Sequence, residues 1–274
     1  MKSRNFLFII LVLILGSCSK FNKVLKSNDY EYKLKMANQY YDKKEYRQAQ
    51  VLFEELFPVF KGTPQFDDLY YKYAYTHYNL KDYTTAENLY KGYLEVFPNS
   101  PKAEEVEFMQ AYCFYKQSPK AELEQANTLK AIGMFQVFVN THGDSPKRKE
   151  AEDIIAQCQV KLERKEYLSA QLYFNLGQFR AAALTYTTLM NNYPDSQKGD
   201  EYKLMAIKAY YRYAAMSVKE KQEERYTRVV REVEDFQDRF PESKLLKEAE
   251  RYLTLSTNNL KSLNNEQTSQ AVGK

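Results

Sequence analysis

Few residues in this sequence have the types and spacing that catalysis requires. His77 and His142 are the only histidines, and neither belongs to an HExxH motif or another pattern of metal ligands. The chain also lacks the GxSxG motif of hydrolases, the Walker loop and the Rossmann glycine motif. Its carboxylates lie among basic residues, as in residues 147–152, which is typical of solvated helix surfaces. We therefore predict a protein that is not an enzyme and binds no metal or dissociable cofactor; a hydrolase site outside these motifs is the alternative.

Acylation is the one covalent reaction that the sequence predicts, and it concerns Cys18. Lys2 and Arg4 precede ten consecutive apolar residues, 6–15. Ten residues of helix span roughly 15 Å, about half of a bilayer core, so this segment predicts a signal sequence rather than a transmembrane helix. The following Leu15-Gly16-Ser17-Cys18 resembles a bacterial lipobox, which implies cleavage after Ser17 and a covalent lipid on Cys18. The alternative is an ordinary secretory signal followed by an incidental cysteine.

The residues after Cys18 predict where the anchored protein resides. Ser19 stands where an aspartate retains some bacterial lipoproteins in the inner membrane. Residues 19–23 also contain no acidic residue of the kind that directs some lipoproteins to the cell surface. We therefore expect a lipid-anchored protein at the periplasmic face of the outer membrane.

Charge and cysteine content predict which partners and which disulfide bonds the protein has. Of the 40 basic residues, two precede the predicted cleavage site, so 38 remain against 36 acidic residues. This balance argues against nucleic acid as a partner. Cys113 and Cys158 lie in apolar helical patterns, which predicts buried side chains rather than a bridge. A disulfide between them is the alternative in an oxidising compartment.

A repeat organises the rest of the chain, and five copies of it align on two small and two bulky positions. The first small position holds Ala37, Ala74, Ala111, Ala170 and Ala206. The second small position holds Ala49, Ala86, Ala131, Ala182 and Val229. Four residues later come Phe53, Tyr90, Phe135, Tyr186 and Val233, and three residues further come Leu56, Tyr93, Phe138, Leu189 and Phe236. Four copies close with Pro98, Gly143, Pro194 and Pro241.

This pattern predicts antiparallel helical hairpins. A small residue on each helix lets the two axes approach closely, and the bulky residues share one face of the second helix. A proline then ends that helix, because it lacks an N–H group and clashes with a continuing turn. The pattern resembles the tetratricopeptide repeat family over residues 30–257. The fold class that this resemblance implies is all-α, a right-handed α-solenoid of five tetratricopeptide-type hairpins.

Departures from the plain repeat predict the domain organisation. The two small residues lie twelve apart in copies one, two and four, but twenty apart in copy three and twenty-three apart in copy five. We expect the extra residues, near 118–125 and 217–225, to lengthen turns or helices. Residues 147–175 contain no Pro or Gly, which predicts one long helix joining two halves, 30–146 and 147–257. A lipidated linker, 18–29, would precede the repeats. The polar residues 258–274 predict a disordered tail.

The turn phrases between copies are more specific than the repeat itself. Phe97-Pro98-Asn99-Ser100 recurs as Tyr193-Pro194-Asp195-Ser196 and Phe240-Pro241-Glu242-Ser243, with His142-Gly143-Asp144-Ser145 as a degenerate copy. Each serine can cap the following helix by accepting an N–H. With the lipobox, five repeats and this length, the chain resembles the BamD family of the outer-membrane β-barrel assembly machinery. The resemblance implies two partners: the periplasmic domains of the insertase BamA, and unfolded outer-membrane proteins.

An aromatic residue recurs on the first helix of every copy. In the tetratricopeptide family, this first helix lines the concave surface. These residues are Tyr41, Tyr78, Tyr115, Phe174 and Tyr210, and copies two and three add Tyr71, Tyr75, Phe108 and Tyr112 on the same face. Tyrosine offers a large apolar ring and a polar hydroxyl at little entropic cost, which suits a peptide-binding surface. We predict a groove that holds an extended segment of a client protein. The alternative is that these rings pack between neighbouring hairpins.

Two other functions would fit a repeat lipoprotein. The first is a role in envelope constriction or peptidoglycan synthesis, but relatives of that kind usually carry a coiled coil, and none is predicted here. The second is glycan binding in nutrient uptake, but those chains are about twice as long and display surface tryptophans. This chain has 25 Tyr and 16 Phe but no Trp.

Overall fold

The structure is a computed structural model that describes residues 20–272, with side-chain surroundings for residues 20–265. Within this range every regular element is a helix. A short helical segment at residues 20–25 precedes eleven helices: α1 (Tyr30–Asp42), α2 (Tyr46–Phe60), α3 (Phe66–Asn79), α4 (Tyr83–Val96), α5 (Ala103–Gln117), α6 (Ala126–Thr141), α7 (Arg148–Asn175), α8 (Phe179–Asn192), α9 (Gly199–Ala215), α10 (Lys219–Arg239) and α11 (Leu246–Val272). The predicted signal peptide and Cys18 lie outside the described residues.

The helices form two compact units. Unit 1 holds the described residues up to Pro119 together with Glu124–Cys158, and unit 2 holds Lys120–Leu123 together with the described residues from Gln159 onward. In unit 1, each of α1 to α5 packs on the next helix in the chain. In unit 2, α8 packs on α9, α9 on α10, and α11 on both α9 and α10. The predicted all-α repeat fold is confirmed.

The residues that define the repeat all lie in the core. All ten residues at the small positions, from Ala37 to Val229, are fully buried, and none of the ten bulky residues is more than 2% exposed. The helices α4, α8 and α10 each end one residue before an aromatic residue that is followed by proline. These aromatic residues are Phe97, Tyr193 and Phe240. A residue that precedes proline is driven out of the helical region, so these ends follow from the chain itself.

The two inserted segments are accommodated differently. In copy three the residues between α5 and α6 form a loop, because Pro119 follows the C-cap residue Ser118 and blocks continuation of α5. In copy five, α9 ends at Ala215 and α10 begins at Lys219, so the extra residues lengthen the helices. That insertion contains Lys, Glu, Gln and Arg, which favour helix, and no Pro or Gly.

Helix α7 is the single long helix that the sequence predicts, but the units do not divide at its start. The boundary falls after Cys158, within the helix. The reason is that Ala151, Ile154, Ile155 and Cys158 are buried in the core of unit 1. Cys113 and Cys158 are both buried and no disulfide joins them, as predicted. Burial, with a smaller effect of Glu87, raises the pKa of the Cys113 thiol to about 12, so it stays protonated.

The prediction of a disordered tail is not met at residues 258–272, where α11 continues through Val272. The polar composition of this segment suggested disorder, but it contains no Pro or Gly to end the helix. Leu253, Leu260 and Leu263 also retain helical spacing, and Ser256 is fully buried.

The hairpin turns of copies one, two and four share a left-handed backbone residue. Lys44, Lys81 and Gly177 have φ of 60°, 65° and 73° in the links that follow α1, α3 and α7. This region costs a residue with a Cβ atom roughly 1–2 kcal/mol, whereas glycine enters it freely. Two lysines therefore hold positions that favour glycine.

We expect Lys81→Gly to raise the free energy of unfolding by about 0.5–1 kcal/mol, because glycine removes the steric cost of the left-handed turn. Gly177→Ala should lower it by about 1 kcal/mol for the same reason. Denaturant unfolding followed by circular dichroism measures both changes. The exposed Lys91 lies inside α4, so Lys91→Gly is the matched control and should destabilise by about 1 kcal/mol. Equal effects of the two Lys→Gly changes would contradict the turn argument.

Candidate aromatic binding surface

Five tyrosines in unit 1 form a continuous row, which we call the tyrosine row: Tyr71, Tyr75 and Tyr78 on α3, and Tyr112 and Tyr115 on α5. Residues spaced by three or four lie on one helical face, which brings each group together. Ring centroids are 4.7 Å apart for Tyr71 and Tyr75, 6.3 Å for Tyr75 and Tyr78, and 5.5 Å for Tyr112 and Tyr115. Tyr78 and Tyr112 bridge the helices at 6.2 Å. All five rings are partly buried and partly open to solvent.

One carboxylate holds the first two hydroxyls of the row. Tyr71 donates to Oε2 of Glu105 at 3.0 Å, and Tyr75 donates to Oε1 of the same side chain at 2.6 Å. Tyr115 donates to Gln157 Oε1 at 2.7 Å. These hydroxyls therefore tie α3 to α5, and α5 to α7. Recognition of a peptide by these three residues would use their ring faces rather than their hydroxyls.

The hydroxyls of Tyr78 and Tyr112 make no hydrogen bond within the described part of the chain. Burial, followed by the influence of Tyr112, raises the pKa of Tyr78 to about 12. Burial also raises the pKa of Tyr112, with Glu150 as the next cause. Both side chains therefore keep their proton at neutral pH and can donate to a carbonyl oxygen. Lys116 Nζ lies 5.7 Å from the centroid of the Tyr112 ring, and Lys102 Nζ lies 4.9 Å from that of Tyr71.

The other predicted aromatic residues do not share this row. Tyr41 is partly buried against Tyr46 and Phe53, with centroids at 5.8 and 6.4 Å. Phe108 stacks on Tyr112 of the row, with centroids 5.8 Å apart. It is only 2% exposed, however, and also packs on Phe135 and Phe138, so its ring belongs to the core. Its ring faces the second helix of its own hairpin, which explains the difference.

The two remaining positions, Phe174 and Tyr210, lie in unit 2. Phe174 is partly buried and contacts Phe179 at 5.2 Å. Tyr210 is 4% exposed, and the guanidinium of Arg228 lies 4.4 Å from its ring centroid. The aromatic residues that recur in the five copies therefore differ in burial and in the side chains they contact.

A second recurring arrangement involves the turn serines, and the sequence predicts only half of it. Each serine accepts the N–H two residues later, at 3.0 to 3.2 Å, as predicted. This N–H lies in the turn before the helix, however, because Lys102 and Lys198 are the N-cap residues of α5 and α9 and carry no side-chain cap, so the serines do not cap these helices. Each serine also donates to a carboxylate near the start of the same repeat. The pairs are Ser100 with Asp67 (3.0 Å), Ser145 with Glu104 (2.5 Å), Ser196 with Glu163 (2.5 Å) and Ser243 with Asp200 (2.6 Å). In the sequence, each of these carboxylates lies seven residues before the first small position of its copy, or six residues before it in copy five, and this spacing could have predicted the contact.

Like the turn serines, the two histidines contact carboxylates. His77 Nδ1 lies 2.9 Å from Asp82 Oδ2, and His142 Nε2 lies 2.7 Å from Glu107 Oε2. Across the described residues, His, Cys, Asp and Glu form no group of three that could hold a metal ion. Among the same residues, no helix is both long enough and apolar enough to cross a bilayer.

Comparisons with known proteins were made for the whole chain. A family model described as "Outer membrane lipoprotein", named YfiO, matches residues 28–227. No curated protein matches the sequence. Among solved structures, the chain is similar to the complex of the TPR2AB domain of yeast Sti1 with pHSP90, at 13% identity and a TM-score of 0.39. That alignment covers 83% of this chain and 98% of the other.

Proposed function

Because the chain belongs to the YfiO family of outer-membrane lipoproteins, we propose that it is a non-catalytic scaffold of the outer-membrane β-barrel assembly machinery. In this role it docks the insertase BamA and receives unfolded outer-membrane proteins for insertion. It acts at the periplasmic face of the outer membrane, held there by the lipid on Cys18. The observation that carries the client-binding part is the tyrosine row of unit 1.

The tyrosine row has the chemistry that an unfolded outer-membrane segment requires. Such a segment is extended and alternates apolar with polar side chains, so it presents both ring-sized apolar groups and free backbone groups. The ring faces of the row offer apolar contact at low entropic cost. The hydroxyls of Tyr78 and Tyr112 are protonated and unpartnered among the described residues, so they can donate to the segment's carbonyl groups.

Docking of the insertase belongs, in this proposal, to the second half of the chain, residues 147–257. The tyrosine row lies wholly in unit 1, which leaves the repeats of unit 2 for another partner. Separate surfaces would allow the scaffold to hold a client and the insertase at the same time.

Affinity purification from crosslinked cell envelopes tests the proposal. We expect the tagged chain to recover BamA and unfolded outer-membrane proteins. A tagged outer-membrane lipoprotein of similar abundance but without helical repeats is the background control. Recovery of peptidoglycan synthases or of a glycan transporter, with no insertase above that background, would replace the proposal with one of its two rivals.

The anchor has its own test. We expect Cys18→Ser to release the protein from outer-membrane vesicles into the soluble fraction, because the folded repeats would then lack an acyl chain. Metabolic labelling with a radioactive fatty acid should mark the wild-type chain and not the variant. Cys113→Ser is the matched control, since it removes a buried cysteine and should leave labelling unchanged. A Cys18→Ser protein that stays with the vesicles as firmly as wild type would contradict acyl anchoring.

A further inference from the structure

A basic cleft of about 640 Å³ lies in unit 2 and is lined by residues of α8, α9 and α10. Five of its side chains are cationic: Arg180, Lys221, Arg225, Arg228 and Arg231. Only two are anionic, Glu224 and Glu232. Because the chain as a whole is nearly balanced in charge, this excess is local to the cleft.

The two carboxylates are already paired, whereas two of the arginines are not. Glu224 lies 3.5 Å from Lys221 Nζ, and Glu232 lies 2.7 Å from the buried Lys203. Arg180 on α8 and Arg231 on α10 make no ion pair or hydrogen bond within the described residues. Their guanidinium groups, on two different helices that line one cleft, therefore keep all their donors for a ligand.

The other two arginines are held in place by tyrosines. The Arg225 guanidinium lies 4.0 Å from the ring centroid of Tyr213, and that of Arg228 lies 4.4 Å from that of Tyr210. The Tyr210 hydroxyl is buried and has no hydrogen-bond partner among the residues that the structure describes. An unpaired buried hydroxyl is unfavourable, and an oxygen of a bound ligand would satisfy it. The cleft is thus suited to an oxyanion.

One apolar side chain lines the cleft, and two more lie in the link between α9 and α10. Arg225 donates to Ser217 Oγ, and Gln222 donates to the Ser217 carbonyl at 2.9 Å, so the α9–α10 link is fastened beside the cleft. Met216 and Val218 in that link are 72% and 66% exposed, and Leu184 in the lining is 47% exposed. Exposed apolar side chains next to a group of arginines are typical of surfaces that bind the interface of a membrane.

We propose that this cleft binds the phosphate headgroup of a membrane lipid, with Met216 and Val218 inserted among the adjacent acyl chains. The planar guanidinium group of arginine matches the geometry of a phosphate, so one arginine can bind two phosphate oxygens at once. The Tyr210 hydroxyl donates to the same headgroup. The inference depends on the outer-membrane location of the family and not on a role in β-barrel assembly.

Vesicle binding tests this inference on the chain from residue 18 onward, carrying Cys18→Ser so that no acyl chain competes. We expect it to sediment with vesicles of phosphatidylethanolamine and phosphatidylglycerol at low salt, and much less in high salt. Arg180→Gln with Arg231→Gln should weaken binding roughly 30-fold, because each arginine near an anionic surface contributes a factor of about five. Arg47→Gln with Arg251→Gln removes the same charge from exposed positions outside the cleft and should have little effect.

Further variants and ligands distinguish a lipid headgroup from a free phosphate compound. Met216→Ser with Val218→Ser should weaken vesicle binding but leave the binding of free glycerol phosphate unchanged. Equal losses from the cleft pair and the control pair would overturn the proposal, since they would indicate general charge attraction. Free glycerol phosphate binding as tightly as the vesicles would overturn the membrane assignment. Tighter, Arg180-dependent binding of a glutamate-rich peptide than of vesicles would assign the cleft to a protein partner instead.

Discussion

Replacing Tyr71, Tyr75, Tyr78 and Tyr112 by alanine should weaken the binding of an outer-membrane protein's C-terminal strand peptide on the order of a thousandfold. Truncating a well-packed aromatic contact typically costs about 2 kcal/mol or more, so two true contacts among the four would suffice. Fluorescence anisotropy with a labelled peptide measures the change. Insertase recovery should survive, because the proposed docking surface lies in the second half of the chain.

Two control variants separate recognition from folding. Tyr71→Phe with Tyr75→Phe removes the hydrogen bonds to Glu105 but keeps both rings, so we expect peptide affinity close to that of wild type. Alanine at Tyr30, Tyr32 and Tyr173 removes exposed rings elsewhere and should leave binding unchanged. Circular dichroism must show intact helices in every variant.

The outcomes of this experiment are distinct. Near wild-type affinity in the folded quadruple variant would show that the tyrosine row only packs α3 against α5. Loss of helicity together with both activities would lead to the same conclusion. Loss of insertase binding in a folded variant would place the docking surface in unit 1 instead.

The second large effect concerns a buried lysine in unit 2. Lys203 is 5% exposed, and its Nζ lies 2.7 Å from Glu232 Oε2, with Asp235 as a second partner. We expect Glu232→Gln with Asp235→Asn to lower the free energy of unfolding by about 3–5 kcal/mol, because an ammonium would remain buried without a counter-charge. Chemical denaturation followed by circular dichroism provides the measurement.

A third substitution makes the cause testable. Adding Lys203→Met to that pair removes the uncompensated charge and should restore much of the loss, since buried ion pairs are often replaceable by apolar side chains. Glu152→Gln breaks a solvent-accessible pair with Arg148 and should cost at most about 0.5 kcal/mol. A triple variant as unstable as the double variant would mean that lost packing, rather than the unpaired charge, causes the effect.

The helices and their core follow from the sequence because the signals for them are local and repeated. Alanines such as Ala74 and Ala86 and bulky residues such as Tyr90 recur at helical spacing, and burial agrees at every repeat position. Prolines after aromatic residues end helices through the geometry of their own ring. The C-terminal tail is different. Its polar composition predicts disorder, whereas α11 continues through residues 258–272 because they contain no helix-breaking residue.

The surfaces depend on contacts between residues far apart in the chain, and only the tertiary structure decides these. Helical spacing alone does not distinguish the buried Phe108 from the partly open Tyr112, because each ring's exposure depends on the helix packed against it. Glu105 binds two hydroxyls that lie 30 and 34 residues earlier. Arg180 and Arg231 meet in one cleft although α9 separates their helices in sequence. Local spacing determines which residues share a helix face, whereas packing determines what that face contacts.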